Sequence, residues 1–222
     1  MQRLAFITGG SRGIGGAIRT ELVQRGCRVI APSRSELDLA DPASVDAYLM
    51  AHADLPVDIL INNAGINVLS PIQTIDHDTW QSMLQTNLTA ALRLIQAFAP
   101  GMADRGWGRI LSVSSIFSVV ARDQRAAYSM TKAALNALTR SAAVEFGPAG
   151  VLVNALAPGY VATDLTRQNN TPEMLAAIEA AIPLRRLAQA DELAKVAAFL
   201  ASEENTYLTG QVMLVDGGFT CQ

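Results

Sequence analysis

Short apolar segments alternate with longer stretches of helical periodicity along the chain. The apolar segments predict strands at 3–8, 27–32, 57–62, 108–114, 150–156 and 211–215. The amphipathic stretches predict helices at 14–25, 42–52, 77–103, 125–146, 172–181 and 190–202. This alternation is typical of a parallel sheet that is covered by helices on both faces. We therefore predict an α/β fold with a doubly wound parallel sheet.

The connection after the second predicted strand is short for such a sheet. Only about five residues separate this strand from the next apolar segment, Leu37–Leu39. A parallel crossover needs about a dozen residues or more and usually contains a helix. Leu37–Leu39 therefore cannot be the next parallel strand. We predict six strands, with one helix–strand unit missing at a sheet edge.

Composition and charge narrow the class of protein. The 222 residues are 50% hydrophobic and 17% charged, with a net charge of −3. These values predict one well-buried domain over 1–222 and no general attraction to nucleic acid or anionic membranes. Cys27 and Cys221 lie far apart, and neither has a metal-ligand spacing. With no apparent signal peptide, a cytoplasmic protein without a metal site is expected.

A glycine-rich segment, Thr8–Gly15, lies between the first predicted strand and the first predicted helix. Glycine permits sharp turns and lets a ligand approach the backbone closely. A helix N-terminus adds unpaired N–H groups and a partial positive charge. The segment predicts a pyrophosphate site and dinucleotide binding. Asn62–Gly65, at the end of the third strand, indicates either a flat ligand in the sheet crevice or a plain turn.

Tyr128 and Lys132 are four residues apart, so their side chains project from the same face of a helix. A free tyrosine has a pKa near ~10, and a neighbouring ammonium lowers that pKa by favouring the ionised form. Ser115, after the fourth strand, can hold a substrate oxygen beside the tyrosine. Together these residues predict proton transfer at a substrate oxygen. Tyr-x-x-x-Lys alone would indicate only a solvated helix face.

With these motifs, the chain resembles the short-chain dehydrogenase/reductase family over its whole length. Thr8–Gly15 matches the TGxxxGxG cofactor loop, Asn62–Gly65 the NNAG segment, and 158–163 the loop that grips the nicotinamide. The catalytic set of the family is matched by Asn87, Ser115, Tyr128 and Lys132. The resemblance implies a Rossmann-like fold and an NAD(P)-dependent oxidoreductase that acts on a small carbonyl compound or alcohol.

The resemblance also implies residue roles. Tyr128 is expected to be the general acid/base, Lys132 to hold the nicotinamide ribose and lower the tyrosine pKa, and Ser115 to orient the substrate oxygen. Asn87 is expected to fix a water that links Lys132 to solvent, which is compatible with a structural role in kinking its helix. Cofactor contacts are expected from Gly9, Ser11, Arg12, Gly13, Ile14, Gly15, Ser33, Arg34, Asp38, Leu39, Asn63, Ala64, Gly65, Tyr128, Lys132, Pro158, Gly159, Val161 and Thr163.

The end of the second strand favours NADP over NAD. An acidic residue there would bind the ribose hydroxyls and repel a 2′-phosphate, but the chain has Ser33 and Arg34, with Glu36 nearby. Arg12 and Arg34 can clamp a phosphate or can be exposed arginines without a ligand role. Asp38 matches the family aspartate that meets the adenine amino group, and the short connection can deliver it directly.

Substrate recognition is expected from Asn67, 116–124 and a segment at about 160–183 that can form a lid. Arg122 and Arg125 are either contacts for an anionic substrate or surface residues. The segment 182–187 also resembles 3-oxoacyl-acyl-carrier-protein reductases, although Ala149 stands where those enzymes carry a basic residue.

Two further expectations concern assembly and class. In relatives, the helices that correspond to 77–103 and 125–146 pair subunits, so a homodimer or homotetramer is expected. A cofactor-binding sensor or scaffold protein without turnover is the alternative from another class. The complete catalytic set argues against that alternative.

Overall fold

The computed structural model describes residues 2–221 and contains one parallel sheet of six strands in the order β2-β1-β3-β4-β5-β6. The strands are β1 (Leu4–Ile7), β2 (Arg28–Ile30), β3 (Ile59–Asn62), β4 (Gly108–Val113), β5 (Val151–Pro158) and β6 (Val212–Val215). The predicted doubly wound α/β sheet of six strands is confirmed.

Helices connect the strands and cover both faces of the sheet. They are α1 (Gly13–Gln24), α2 (Pro42–Ala51), α3 (His77–Leu84), α4 (Ala90–Asp104), α5 (Ala126–Phe146), α6 (Asp164–Gln168), α7 (Pro172–Ala181) and α8 (Ala190–Leu200). Two helices begin where an N-cap precedes proline: Asp41 accepts a hydrogen bond from the Ala43 amide, and Thr171 accepts one from the Met174 amide. Across residues 2–221, none of these helices combines the length and apolar character needed to span a bilayer.

The connection from β2 to α2 contains no strand. Residues 34–36 form a turn, after which Leu37 and Leu39 are buried in the core beside Val45 of α2. The chain thus reaches α2 directly, and β2 is an edge strand. This observation confirms that the segment at 37–39 does not form a further parallel strand.

Two predictions about helices were wrong. The single helix predicted at 77–103 is interrupted by a π-helical turn, Gln85–Thr89, between α3 and α4. In the predicted lid, α6 forms in addition to α7, because the Thr163 side chain caps it by accepting from the Thr166 amide at 3.4 Å. No periodicity in the sequence marks either feature.

The core consists of two apolar layers, one on each face of the sheet. Leu4 and Phe6 of β1 pack in the layer that includes α2 and α4, whereas Ala5 and Ile7 pack in the layer that includes α1 and α8. Strands that are buried on both faces require nearly continuous apolar sequence. This requirement explains the uninterrupted hydrophobic segments in the sequence.

The sheet has a topological switch point between β1 and β3. These strands are neighbours, but the chain leaves β1 towards β2 on one side and returns to β3 on the other. Connections that diverge in this way open a crevice at the carboxyl ends of the strands. Thr8–Gly15 follows β1 and the segment 63–65 follows β3, so both lie at this crevice.

Candidate active site

The glycine-rich loop has a backbone that only glycine readily allows. Gly9 and Gly13 have φ values of +66° and +57°, in the left-handed region. A Cβ atom on Gly15 would lie 2.2 Å from the carbonyl oxygen of Gly9. These positions keep the loop tight at the start of α1.

The N-terminus of α1 fits a pyrophosphate group. Arg12 occupies the N-cap without a side-chain cap hydrogen bond, and the first turn contains no acidic residue. The first amides of the helix therefore remain available to an anion, and the helix dipole favours negative charge there. The loop and helix can hold the phosphates of a dinucleotide.

Thr8 and Asn63 join the glycine-rich loop to the segment after β3. Thr8 Oγ1 accepts hydrogen bonds from the amides of Asn63 and Ala64, each at 3.1 Å. Asn63 Nδ2 donates to the carbonyls of Thr8 and Gly9 at 2.9 and 3.1 Å. These bonds fix the two walls of the crevice relative to each other.

A cavity of about 460 Å³ extends from the glycine-rich loop to the catalytic residues expected from the sequence. Predicted residues that line it are Arg12, Gly13, Ile14, Gly15, Asn63, Gly65, Ser115, Tyr128, Lys132, Pro158, Gly159, Val161 and Thr163. Gly9, Ser11 and Ala64 lie in the adjoining loops, and Asn87 lies behind Gly65. Ser33, Arg34, Asp38 and Leu39 are not part of the cavity wall and lie beyond β2.

The electrostatics of Tyr128 differ from the sequence-based prediction. Burial raises the pKa of Tyr128 above its ordinary value, whereas hydrogen bonding with Ser115 and the positive charge of Arg125 lower it. The net rise differs from the lower pKa expected for this tyrosine, because desolvation is the largest effect in this structure. The hydroxyl is therefore held protonated and suited to donate a proton.

Lys132 is buried at the end of β4. Its Nζ donates a 2.7 Å hydrogen bond to the carbonyl of Val113 and lies 5.6 Å from the ring centre of Tyr128. Burial lowers the pKa of Lys132 to about 8. The ammonium is thus fixed next to the tyrosine but has little solvation.

Asn87 lies in the π-helical turn. The Ala90 amide donates to the carbonyl of Gln85, five residues earlier. The turn is therefore wider than an α-helical turn. Within it, Asn87 Oδ1 accepts a hydrogen bond from the Ile66 amide at 2.8 Å, and Asn87 Nδ2 donates one to Thr131 Oγ1 at 3.1 Å. π-Bulges of this kind are frequent at functional sites.

Asn87 and Lys132 converge behind Gly65. A Cβ atom on Gly65 would lie 3.2 Å from Asn87 Oδ1 and 3.3 Å from Lys132 Nζ. Asn87 is therefore compatible with both roles expected from the sequence. It belongs to an irregular turn of its helix, and it lies close to Lys132.

The loop after β5 closes the cavity on the other side. A Cβ on Gly159 would lie 2.7 Å from the Cα of Asp216, so only glycine fits there without displacement of the backbone. The Thr163 methyl group lies across from the glycine-rich loop, 3.6 Å from where a Cβ on Gly13 would be. The predicted nicotinamide loop and the predicted phosphate loop thus face each other.

The residues after β2 bond mainly to one another. The Glu36 carboxylate accepts hydrogen bonds from the amide and hydroxyl of Ser33, both at 2.7 Å. Arg34 is highly exposed and pairs with Asp38 at 3.3 Å. The structure therefore brings an acid next to Ser33, which the sequence reading noted only as a nearby residue.

Comparisons with known proteins agree with this geometry. A family profile described as enoyl-(acyl carrier protein) reductase matches residues 32–220. The chain is 36% identical to a 3-oxoacyl-acyl-carrier-protein reductase of Vibrio cholerae over 236 aligned positions, which cover 97% of this chain and 96% of that protein. The chain belongs to the short-chain dehydrogenase/reductase family. It is an NAD(P)-dependent oxidoreductase of the Rossmann type.

Solved structures of the family superimpose closely on this fold. A gluconate 5-dehydrogenase from Burkholderia cenocepacia, in complex with NADP and tartrate, gives a TM-score of 0.94 at 32% identity, covering 100% of this chain and 97% of that one. A blue fluorescent protein from a metagenomic library, in complex with NADPH, gives 0.89 at 31% identity, covering 98% and 97%.

Several residues of this family member's cavity were missed by the sequence reading. Thr8 was noted only as part of the loop motif, although its hydroxyl links the two crevice segments. Val113 contributes the carbonyl that holds Lys132, whereas Asn170 lines the cavity within the predicted substrate segment 160–183. A carbonyl acceptor and a short irregular segment leave no signal in side-chain patterns.

Proposed function

We propose that the chain transfers a hydride between NADP(H) and the carbonyl or secondary alcohol group of a small molecule, with Tyr128 as general acid/base. The observation that carries this proposal is the placement of Ser115, Tyr128 and Lys132 on one cavity wall, which continues to the phosphate-type loop at Gly13. When bound, the nicotinamide ring accepts or supplies the hydride.

The residues of the chain manage the proton and the substrate oxygen. During reduction, the Tyr128 hydroxyl donates its proton to the substrate oxygen as that oxygen gains negative charge. During oxidation, the tyrosine oxygen accepts the proton from the alcohol. Ser115 holds the same substrate oxygen by a hydrogen bond, and the Lys132 ammonium stabilises the tyrosinate that proton donation leaves behind.

Asn87 and Lys132 supply the route by which the proton is replaced. Both lie close to Gly65, and Lys132 has a pKa of about 8. An ammonium with this pKa can return a proton to Tyr128 and regain one through a water held near Asn87.

NADP is the proposed cofactor, with NAD the weaker alternative. Arg12 lines the cavity at the phosphate loop, and the two structural relatives above were solved with NADP or NADPH. Reduction of a 3-oxoacyl thioester is the alternative specific activity, favoured by the identity to the Vibrio cholerae enzyme. A sensor without turnover is disfavoured because the catalytic set is complete.

We also propose a cytoplasmic homodimer or homotetramer. Met130 and Val144 of α5 and Leu92 of α4 are exposed apolar residues on the helices expected to pair subunits. Sedimentation of the purified protein tests the assembly. Both Cys27 and Cys221 are free thiols, which is typical of reducing compartments.

Oxidation of NADPH with a panel of ketones, oxo acids, sugars and oxoacyl thioesters tests the activity. The proposal expects turnover with at least one class of carbonyl and its loss in Tyr128→Phe, with cofactor affinity nearly unchanged. Cofactor binding without turnover of any class would instead support a sensor. Activity retained by Tyr128→Phe would refute the assigned acid/base.

A further inference from the structure

Arg125 is a buried cation without a hydrogen-bond or ion-pair partner among residues 2–221. It is 5% exposed and lies against the Phe117 ring, whose centre is 4.6 Å from the guanidinium carbon. Tyr160 and Tyr128 are close enough to affect its charge but form no hydrogen bond with it. A guanidinium carries five N–H donors, and buried charges are ordinarily paired. Arg125 therefore lacks the partner that its burial requires.

The unpaired guanidinium belongs to the wall of the catalytic cavity. Arg125 lines the same cavity as Ser115 and Tyr128, and its charge is close enough to lower the pKa of Tyr128. The nearest acid on its own segment, Asp123, is exposed and lies 4.0 Å from Arg122. Asp164 lines the same cavity but forms no ion pair with Arg125 among residues 2–221, so the guanidinium remains available to an anionic ligand.

The backbone around Arg125 adds to the positive potential. Arg125 is the N-cap residue of α5, a helix of 21 residues that has neither a side-chain cap nor an acidic residue in its first turn. Gln124, immediately before it, has a left-handed φ of 60°, which non-glycine residues adopt only where the surroundings enforce it. The chain thus holds a cation and an uncapped helix start at one place.

Two buried hydrogen-bond acceptors belong to other residues that line the cavity. Asn67 and Asn170 line the cavity, and the Oδ1 atom of each is buried without a hydrogen-bond partner among residues 2–221. Unsatisfied acceptors are costly next to apolar groups, so a small rotation of either side chain towards the cavity would let it accept from a hydroxyl or other donor group of a ligand. A long hydrocarbon chain would leave both oxygens and Arg125 unpaired.

Accordingly, we propose that Arg125 is a specificity-determining residue that binds a carboxylate of the substrate, so that the enzyme acts on small oxo acids and their hydroxy acid products. The inference rests on the proposed hydride transfer at Tyr128. A guanidinium binds a carboxylate through two parallel hydrogen bonds. One end of the substrate is thereby fixed while its carbonyl group lies near Ser115 and Tyr128.

Steady-state kinetics with oxo acids and their methyl esters test the assignment. The oxo acids in the series carry the carboxylate one to four carbons from the carbonyl group. Each methyl ester keeps the carbonyl group and removes only the charge. Wild-type enzyme should prefer the acid at one spacing at least. In Arg125→Gln, kcat/KM for that acid relative to kcat/KM for its ester should fall about 10- to 100-fold, the range expected for loss of a charged hydrogen-bonded contact. The higher Tyr128 pKa in this variant affects both substrates alike, so the ratio isolates the carboxylate contact.

Arg122→Gln is the matched control, because it removes the same charge three residues away. Arg122 Nη1 already has a partner, the hydroxyl of Tyr160, at 2.5 Å. The acid preference should persist in this variant, and Arg125→Lys should restore part of the preference lost in Arg125→Gln. Equal use of acid and ester by the wild type, or an unchanged preference in Arg125→Gln, would overturn the proposal.

Two measurements separate this inference from the proposed function. The melting temperature of ligand-free Arg125→Gln should equal or exceed that of the wild type, since the substitution removes an unpaired buried charge; a large decrease would identify Arg125 as structural and overturn the proposal. If no carbonyl is reduced, thermal shifts with succinate and its diamide still decide the point. The carboxylate site is supported if succinate, but not its diamide, stabilises the wild type and if this stabilisation is lost in Arg125→Gln. The proposal is overturned if succinate and its diamide have the same effect on the wild type.

Discussion

Lys132 Nζ and the carbonyl oxygen of Val113 form a 2.7 Å hydrogen bond, in a place where the lysine is almost fully buried. Burial lowers the pKa of this lysine to about 8. The charged form is therefore disfavoured in the folded protein compared with the unfolded chain. A group needed for proton transfer is present at a cost in stability.

Lys132→Met should abolish turnover and stabilise the ligand-free protein. At pH 7 the free energy of unfolding should rise by about 1–2 kcal/mol, because the desolvation cost of the charge exceeds the value of the lost hydrogen bond. Urea denaturation of both proteins measures the difference.

The pH dependence of the same variant checks the cause. Lysine has an ordinary pKa near ~10.4, so between the folded value of about 8 and the unfolded value only the unfolded chain binds the proton. Wild-type stability therefore gains from a rise in pH in this window. The advantage of Lys132→Met should shrink by about 1 kcal/mol between pH 7 and pH 9. A constant advantage would assign the effect to packing.

Ser115→Ala should move the pH profile of turnover upwards. Hydrogen bonding with Ser115 lowers the pKa of Tyr128, so its removal raises that pKa further. Alcohol oxidation needs the tyrosinate, and its rising limb should shift to higher pH. Carbonyl reduction needs the protonated form, and its falling limb should shift in the same direction. Measurement of kcat from pH 6 to 11 in both directions checks this.

Ser118→Ala controls for disturbance of the loop. Its hydroxyl donates to the backbone carbonyl of Ser115 at 2.6 Å and does not contribute to the pKa of Tyr128. The profile of this variant should keep its wild-type midpoints. Equal shifts in both variants would show that loop geometry, rather than the Ser115 hydroxyl, sets the tyrosine pKa.

Gly15→Ala should weaken cofactor binding by at least about tenfold, or about 1.4 kcal/mol. The added Cβ would lie 2.2 Å from the Gly9 carbonyl oxygen and 2.3 Å from Asn63 Nδ2, so the phosphate loop has to open. Gly16→Ala is the control, because its nearest contact would be an ordinary 3.5 Å. In a helix, alanine there should stabilise the protein by roughly 0.5–1 kcal/mol. Fluorescence titration with NADPH and thermal melts compare the two.

The sequence predicted those features that repeat or carry side-chain chemistry. Alternating apolar segments defined all six strands, and the short step from β2 to Leu37 was sufficient to exclude a seventh. The π-helical turn at Asn87 could not be predicted, because one extra residue in a helical turn leaves the apolar pattern nearly unchanged. The pKa of Tyr128 depends on how deeply the side chain is buried, which the spacing to Lys132 does not reveal. The sequence also does not distinguish Arg125 from Arg122. In the structure, Arg125 packs against the Phe117 ring, whereas Arg122 donates a hydrogen bond to Tyr160.

Glu36→Gln should shift the balance of cofactors further towards NADP. The Glu36 carboxylate accepts from both the amide and the hydroxyl of Ser33, and these hydrogen bonds lower the pKa of Glu36. The acid is therefore ionised at neutral pH and occupies the donors that a 2′-phosphate next to Ser33 would use. Removal of the charge should lower the Kd for NADP about three- to tenfold, as expected for relief of an exposed like-charge contact.

Glu145→Gln makes the same change in net charge on an exposed position at the end of α5. Calorimetric titration of the wild type and both variants with NADP and NAD distinguishes local from general effects. Affinity for NAD should stay the same or fall in Glu36→Gln, because the carboxylate is an acceptor that ribose hydroxyls can use. Equal gains for both cofactors, or a matching gain in Glu145→Gln, would mean that Glu36 does not act on the phosphate. In that case selection between NADP and NAD would depend on Arg12, which lines the cavity, or on exposed Arg34.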